Sequence, residues 1–469
     1  MKTRKNSHKY SFLLIWFLLP IIWSCSTIKP QSPDILVAEL EIPKQELSSI
    51  KIPIKINLAP YFKETEKSVP KKFVGGEKIC EGVTFDYKFF RKPIKFEGKG
   101  TKLLFDVDGK YALNLNYCLK CSDLIGQGPS CLVPRIYASC GVGEPMRKMH
   151  VSYETKIGVS EHYKLKSHTK FRSVKALTPC EITVFHYDAT ETLEEEVTTA
   201  LKAVEKDIDK EISSVDLRPE MLATWKLLQE PTDLEGYGFL YLRPSSVSMS
   251  EIKFKGDTAY FNAILEAHPT IYTSETRLRK KPLPKLSKYK NREGFDITMD
   301  IFATYDSLSS ILTENIKGTT VELSGREIIF GDIEVHGAYN SMIHLKVDFS
   351  GNKNGTLYLT GTPIFDPEHQ HISFPDLNFD VETKSALLKS AKWLFNKKIT
   401  DAIRESASMD LEPYLDTLKT TLNESLNVEL DDNVFMCGSV EDIEINLIHP
   451  KSDQLHIRVH SLGKLELTM

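Results

Sequence analysis

The chain has 469 residues, of which 41% are hydrophobic and 26% are charged. This composition excludes a disordered chain, a collagen-like repeat and a protein with many membrane spans. At roughly 150 residues for an ordinary domain, the length allows about two or three domains. The 60 basic and 64 acidic residues give a formal net charge of −4, without the basic excess typical of a nucleic-acid-binding protein.

The amino-terminal segment has the pattern of a secretory signal peptide. A basic stretch, residues 2–9, precedes an apolar run from Phe12 to Trp23 that is too short for an ordinary transmembrane helix. Residues 22–25, Ile-Trp-Ser-Cys, resemble a bacterial lipobox, in which Cys25 becomes the acylated first residue of the mature protein. We therefore predict a signal peptide over 1–24, a lipidated tether over 25–39 and a membrane anchor at Cys25. A plain signal peptide with an incidental cysteine is the alternative.

Seven cysteines follow Cys25, and export to an oxidising compartment favours disulfides among them. Because seven is odd, at least one is unpaired within the chain. Cys118, Cys121, Cys131 and Cys140 lie within 23 residues, which also allows a zinc site, although the second pair lacks the close spacing of a zinc ribbon. Cys140 and Cys180 flank a segment with a strand pattern and are the candidate pair, but spacing does not determine connectivity.

Alternating apolar and polar residues predict strands along most of the chain. The segment 52–58 has this period of two, and an Asp108-Gly109 pair between two alternating runs predicts a hairpin that joins 103–107 to 111–115. Further strands are predicted over 181–185, 246–254, 328–335, 343–349 and 440–445.

Three segments have the 3.6-residue period of amphipathic helices. They span 197–212, about 383–404, and 411–426. The middle segment is apolar on more than one side, so we expect a sheet to enclose it. Its Trp393, like Trp225 earlier in the chain, is a candidate for core packing.

An internal repeat indicates two copies of one unit. Residues 215–219, Val-Asp-Leu-Arg-Pro, match residues 409–413, Met-Asp-Leu-Glu-Pro, and weaker matches keep the same order over most of the chain. Asp216 and Asp410 are expected to cap the helices that begin at the following proline. The predicted units span 40–273, with a Cys-rich insertion, and 295–469.

A basic segment with two prolines, residues 274–294, separates the predicted units. Its charges and prolines disfavour a packed core, so we predict a solvated linker. Contact with anionic lipid headgroups is the functional alternative.

The sequence lacks the usual catalytic signatures: the Gly-x-Ser-x-Gly elbow, the His-Glu-x-x-His motif and the Walker loop. His369 and His371 could hold a metal with Asp366 or Glu368, but histidines of a surface loop are the simpler interpretation. We expect no catalytic residue, no metal site, no cofactor and no enzymatic activity. A hydrolase is the minor alternative.

Several motifs recur in an order typical of a known family. They are the lipobox, Ala138-Ser139-Cys140-Gly141, Thr178-Pro179-Cys180-Glu181, Tyr187-Asp188, Leu377-x-Phe379-Asp380-x-x-Thr383 and Ala391-x-Trp393-Leu394. On these motifs the mature chain resembles a bacterial lipoprotein family of unknown function (domain of unknown function 4403), found largely in Bacteroidota. That family is remotely similar to the tubular lipid-binding (TULIP) superfamily of bactericidal/permeability-increasing protein.

The resemblance implies an α+β fold with two tandem TULIP-like units, each a bent antiparallel sheet wrapped around a long helix. It also implies a tubular apolar cavity for lipid or a similar apolar ligand. The residues expected to line this cavity are Val197, Leu201, Val204, Ile208, Leu387, Ala391, Trp393 and Leu394.

The expected function follows from these features. We expect a membrane-anchored periplasmic lipoprotein of the cell envelope, placed at the outer membrane, that binds an apolar ligand; transfer of the ligand is an extension of this hypothesis. No nucleic-acid partner is expected. The alternative is a non-catalytic envelope scaffold that has a filled tube and binds a protein or glycan partner.

Overall fold

The structure, a computed structural model, describes residues 27–32, 42–122, 128–183, 187–234, 238–323, 325–337, 341–380, 407–431 and 434–468, with eight further positions between 383 and 405. These residues form a mixed α+β fold, as predicted, with about 51% of the described residues in strands.

Twenty-eight strands are described. In chain order they are β1 (Ser48–Asn57), β2 (Lys72–Glu77), β3 (Gly82–Arg91), β4 (Lys95–Gly100), β5 (Lys102–Cys118), β6 (Cys121–Ser122), β7 (Ser130–Cys131), β8 (Ile136–Cys140), β9 (Arg147–Val159), β10 (Leu165–Ala176), β11 (Thr232–Asp233), β12 (Phe239–Tyr241), β13 (Pro244–Met249), β14 (Lys253–Gly256), β15 (Thr258–Ala267), β16 (Thr270–Tyr272), β17 (Phe295–Thr304), β18 (Thr320–Leu323), β19 (Arg326–Gly337), β20 (Ile343–Gly351), β21 (Gly355–Gly361), β22 (Ile364–Asp366), β23 (His371–Ser373), β24 (Asn378–Phe379), β25 (Met409–Asp410), β26 (Val428–Asp431), β27 (Val434–Pro450) and β28 (Gln454–Thr468).

The helices in the described part of the chain are α1 (Ala59–Ser68), α2 (Thr190–Ser213), α3 (Arg218–Leu227), α4 (Tyr305–Ile316) and α5 (Glu412–Ser425). The predicted helices over 197–212 and 411–426 correspond to α2 and α5. The predicted helix over 383–404 lies mostly outside the described residues.

Four sheets organise the strands. One has 18 strands, β1–β5, β8–β17 and β26–β28, and the others have five (β18–β21 and β24), three (β22, β23 and β25) and two (β6 and β7). Almost all pairings are antiparallel, with a short parallel contact between β1 and β28. Alternating side chains therefore face opposite sides of each sheet.

The chain divides into two compact units. The larger unit consists of Pro43–Ile301, Glu412–Asn446 and Arg458–Met469, and the smaller unit draws on Met1–Ile42, Phe302–Leu411 and Leu447–Ile457. These units interleave along the chain, which differs from the predicted consecutive units over 40–273 and 295–469. The last strand, β28, contributes to the difference, because it pairs with β1, near the start of the larger unit, as well as with β17.

The Asp108-Gly109 pair lies inside one continuous strand, so the predicted hairpin turn is wrong. β5 runs through both residues and pairs with β3 and β9 there. A Cβ on Gly109 would lie 2.2 Å from the ring of Phe89, so the glycine makes room for an aromatic side chain. Asp108 accepts hydrogen bonds from His150 at 2.8 Å and Lys95 at 3.2 Å. Contacts with neighbouring strands, rather than a turn, therefore explain why Asp and Gly occupy these two positions.

The basic segment between the predicted units packs against the larger unit and is not a free linker. Leu283 is buried in a cluster with Trp225 and Tyr163. The Trp225 indole donates to the carbonyl of Lys281 at 2.9 Å, and the Tyr163 hydroxyl donates to that of Pro284 at 2.8 Å. The basic segment is thus bound to the larger unit through backbone carbonyls that accept from buried aromatic side chains. Trp225 is a core residue, as expected.

Helix α2 lies along one edge of β10. Ala176, Phe171 and Thr169 donate their backbone N–H groups to Glu194, Glu205 and Asp209 of α2 at 2.6, 2.7 and 2.9 Å. The 11 steps from Glu194 to Glu205 rise about 16 Å along a helix. This distance matches the roughly 16 Å that the five steps from Phe171 to Ala176 span along a strand. The helix carboxylates therefore replace a neighbouring strand at these positions.

The smaller unit shows the same arrangement with hydroxyl groups. Val335 and Ile333 of β19 donate their backbone N–H groups to Ser309 and Thr313 of α4 at 2.8 and 2.9 Å. Beneath α4, the five-stranded sheet carries a core of buried aliphatic and aromatic side chains. Leu387, predicted to line a cavity, is fully buried in this core.

Three disulfides join the cysteines of the larger unit. They are Cys80–Cys121, Cys118–Cys131 and Cys140–Cys180, and Cys437 is free and exposed. The candidate pair of the sequence is therefore bonded in the structure, and the alternative of a zinc site at Cys118, Cys121, Cys131 and Cys140 is wrong. Cys140 and Cys180 are fully buried where the chain approaches α2.

Replacing Asp209 with alanine should destabilise the protein by about 1–3 kcal/mol, because Asp209 accepts hydrogen bonds from Ser167 Oγ, Thr169 Oγ1 and Thr169 N. Asp207→Ala is the matched control, since Asp207 is exposed on the same helix. Urea unfolding of both variants measures the difference. Equal stability of the two variants would contradict the edge contact.

The same contact predicts a pH dependence. Burial alone would raise the pKa of Asp209, but the hydrogen bonds from Ser167 and Thr169 outweigh it and hold the pKa below the ordinary 3.8. The stabilisation is therefore complete above about pH 4 and is lost as the pH falls through the folded-state pKa. The stability gap between wild type and Asp209→Ala should narrow between pH 7 and pH 3, as measured by urea unfolding at each pH.

Replacing Cys140 and Cys180 together with serine should lower the free energy of unfolding by about 2–4 kcal/mol, because this bond closes a long loop. Cys437→Ser should leave stability within about 0.5 kcal/mol, because Cys437 is free and exposed. Urea unfolding without reductant makes the comparison. A double variant as stable as Cys437→Ser would show that the bond is dispensable.

Candidate functional site

One face of the larger unit's sheet is apolar across five strands. In the register, Phe85 lies opposite Leu115, and Leu115 lies opposite Ala138, so these side chains share a face. We call this surface the apolar face. It consists of Val83, Phe85, Tyr87, Phe89, Phe105, Val107, Tyr111, Leu113, Leu115, Tyr117, Ile136, Ala138, Cys140, Met149, Val151, Tyr153, Phe171 and Val174.

Helix α2 covers one part of the apolar face. Val197, Leu201 and Ile208, three of the predicted lining residues, pack against its buried cluster together with Leu193. Val204, also predicted to line a cavity, is 38% exposed and lies outside this cluster. The difference follows from the carboxylate contacts to β10, which set the rotation of the helix.

Aromatic rings form the floor beneath α2. The rings of Phe105 and Tyr153 stack at 5.2 Å, and Phe171 meets Tyr153 edge to face at 5.6 Å. The Tyr153 hydroxyl donates to the carbonyl of Leu201 at 3.0 Å, and burial raises the pKa of Tyr153. The ring pairs have the offset and edge geometries that aromatic side chains prefer. The Tyr153 hydroxyl attaches α2 to this aromatic floor.

The apolar face continues beyond the helix into solvent. Val83, Tyr117 and Ile136 lie opposite one another in β3, β5 and β8 and are 49, 40 and 50% exposed. Farther along the same strands, Leu113 is only 7% exposed. We call the exposed part the open end of the apolar face. A contiguous exposed patch next to a buried core is typical of a binding surface.

The disulfides border the open end. Cys118, at the end of β5 next to Tyr117, is bonded to Cys131, and Cys121 is bonded to Cys80 ahead of β3. Two cross-links in this region reduce the freedom of the strands and loops that carry the exposed side chains. The open end is therefore a pre-organised surface.

Two polar groups lie on the covered part of the apolar face. Tyr111 and Arg147 are direct cross-strand partners in β5 and β9. Tyr111 Oη and Arg147 Nε are buried and have no hydrogen-bond partner among the described residues. Arg147 Nη2 donates to Glu144 at 2.7 Å. Burial raises the pKa of Tyr111 to about 12, although Arg147 opposes the rise, so the hydroxyl is a donor at neutral pH.

The other face of the same strands is polar. A cavity of about 220 Å³ there is lined by Lys102, Glu154, Lys156, His168 and Lys170. Lys102 donates to Glu154 at 2.7 Å and lowers the pKa of that carboxyl. This cavity is lined mainly by basic side chains, so it differs in chemistry from the apolar face.

The remaining predicted site residues lie elsewhere. Cys25, Ala391, Trp393 and Leu394 are outside the described residues. The ring of His369 contacts Asp366 at 2.8 Å, and no group of three or more metal-ligating side chains is found in the described part of the chain. Among the helices that are described, none combines the length and the apolar character needed to cross a membrane.

Two solved structures align with most of the chain at low similarity. The first, described as the crystal structure of lipopolysaccharide binding protein, has 9% sequence identity and a TM-score of 0.24, with 91% of this chain and 99% of that chain covered. The second, the crystal structure of P47 of Clostridium botulinum E1, has 7% identity and a TM-score of 0.20, with 90% and 98% covered. TM-scores this low do not establish a shared fold, so neither similarity carries an argument about this chain.

The family comparison is conclusive over nearly the whole chain. Among curated proteins, none matches the chain. A family model described as a domain of unknown function (DUF4403) matches residues 46–469, which include the larger unit's apolar face and, except for Ile28, the smaller unit's buried core. The chain therefore belongs to the family of the domain of unknown function DUF4403.

Proposed function

We propose that the protein binds an amphipathic lipid, or a similar ligand with an apolar chain, on the apolar face of the larger unit. One observation carries this proposal: the face that is buried beneath α2 continues, without a change of strand or side-chain direction, into the exposed Val83, Tyr117 and Ile136. An acyl chain laid on the open end would cover these side chains and meet the buried cluster.

Apolar burial supplies the binding energy. Each methylene group removed from water contributes about 0.8 kcal/mol, so burying about eight of them would contribute about 6 kcal/mol before the cost of ordering the ligand. Tyr87, 38% exposed, and the aromatic floor beneath α2 offer flat contacts for such a chain. The surface provides burial rather than an acid, a base or a nucleophile, so binding without catalysis is the activity that we propose.

We further propose that the protein works in the cell envelope, anchored through acylated Cys25 at the periplasmic side of the outer membrane. The signal-peptide pattern and the lipobox of residues 22–25 support this location. The three disulfides support it as well, because such bonds persist in oxidising compartments. A tether of this kind would keep the apolar face near a source of lipid, and transfer of the ligand is the extension of this proposal.

A charge on the open end should weaken ligand binding. Val83→Asp places a carboxylate among Tyr117 and Ile136, and we expect it to weaken binding of the neutral probe N-phenyl-1-naphthylamine by at least about tenfold, because burying an unpaired charge is costly. Val74→Asp is the matched control. Val74 lies in the neighbouring strand, pairs with Lys88 on the opposite face and is 61% exposed, so its replacement should change the affinity less than about twofold.

Fluorescence titration of the purified protein measures both affinities, and circular dichroism melting checks that both variants fold. Native mass spectrometry of the wild type, followed by solvent extraction, should show a copurifying lipid. Equal probe binding by the two variants would contradict this site. A wild type that carries no lipid and binds no probe would favour the alternative, an envelope scaffold for a protein or glycan partner.

A further inference from the structure

The unpartnered donors of Tyr111 and Arg147 require an explanation. A buried donor without a partner costs about 1–3 kcal/mol, and native proteins contain few of them. Tyr111 is 4% exposed, and its Oη and Arg147 Nε are both buried without a hydrogen-bond partner among the described residues. Direct cross-strand partners on one face have Cβ atoms about 5 Å apart, so the two side chains lie next to each other on the covered part of the apolar face.

We infer that Tyr111 and Arg147 form a polar anchor for the carbonyl oxygen of an acyl ester or amide. This inference rests on the proposed function, since it places the polar end of the same ligand. An acyl carbonyl is attached directly to the apolar chain, and apolar side chains flank the anchor on both sides along the strands: Leu113 on the side toward the open end and Met149 on the other. A polar group of the ligand held at the anchor would therefore adjoin apolar surface, as the carbonyl of an acyl chain does.

The surrounding charges select a neutral acceptor over an anion. Arg147 is already paired with Glu144, which also accepts the backbone N–H of Gly141 at 2.7 Å. Burial is the main cause of the raised pKa of Tyr111; Arg147 opposes the rise, and Glu194 and Asp188 add to it, so the negative charge of these two carboxylates acts at the anchor. A free carboxylate or phosphate would meet this field at a cost, whereas an ester or amide carbonyl accepts hydrogen bonds without a net charge.

The chain offers a matched pair of tyrosines to test the anchor. Tyr111→Phe removes a hydroxyl without a partner, so it should leave the urea midpoint unchanged or raise it. Tyr163→Phe removes a hydroxyl that lies outside the apolar face and donates to the carbonyl of Pro284, so it should lower the midpoint. A purely structural role for Tyr111 would give the opposite result for the first variant.

Binding is measured by displacement of N-phenyl-1-naphthylamine at pH 8 with three probes of similar length: methyl dodecanoate, dodecanoate and tridecane. The wild type should bind the methyl ester about tenfold more tightly than the alkane, and more tightly than the free acid. Tyr111→Phe should reduce the preference for the ester to within about threefold, whereas Tyr163→Phe should retain it.

The outcomes separate this inference from the proposed function. If the wild type binds all three probes equally, or if Tyr111→Phe keeps the full preference for the ester, the polar anchor is wrong and the apolar site stands. If the free acid binds most tightly, the anchor recognises an anion and the neutral-carbonyl assignment is overturned. If none of the probes binds, the proposed function itself fails.

Discussion

The hydrogen bonds between α2 and the edge of β10 determine the architecture of the candidate site. A strand edge carries backbone N–H groups that need acceptors. Glu194, Glu205 and Asp209 supply these acceptors, and their spacing along the helix axis matches the spacing of the N–H groups along β10. In the smaller unit, Ser309 and Thr313 of α4 accept the backbone N–H groups of β19. The two acceptors are four residues apart on the helix, and the two donors are two residues apart on the strand. Both units therefore use helix side chains in place of a neighbouring strand.

This constraint explains why the apolar face is only partly covered. A helix that is held at the β10 edge lies over the strands nearest that edge, and its apolar residues reach Tyr153 and Phe171. The side chains at Val83, Tyr117 and Ile136 stay exposed beyond it. The same polar contacts that stabilise the fold thus leave part of the apolar face uncovered, where we propose that a ligand binds, and the disulfides at Cys80 and Cys118 border this part.

Local patterns predicted elements better than they predicted contacts. The alternation over 343–349 and the 3.6-residue period over 197–212 each lie inside an observed element, β20 and α2. The Asp108-Gly109 pair was misread as a turn because its role depends on Phe89 of another strand. The basic segment around Leu283 was misread as a free linker because its partners, Trp225 and Tyr163, are distant in sequence. The TULIP-like arrangement of two tandem units stays a prediction.

The sequence by itself determined the α+β class, the apolar stripe of α2, the odd cysteine count and the family, because each depends on composition, period or local motif. Only the tertiary structure decided which face of β3, β5 and β8–β10 is apolar, that α2 is rotated so that Val204 faces away from the cluster, and that Tyr111 lies beside Arg147. Those features depend on strand register, and register joins residues tens of positions apart, which no local pattern specifies.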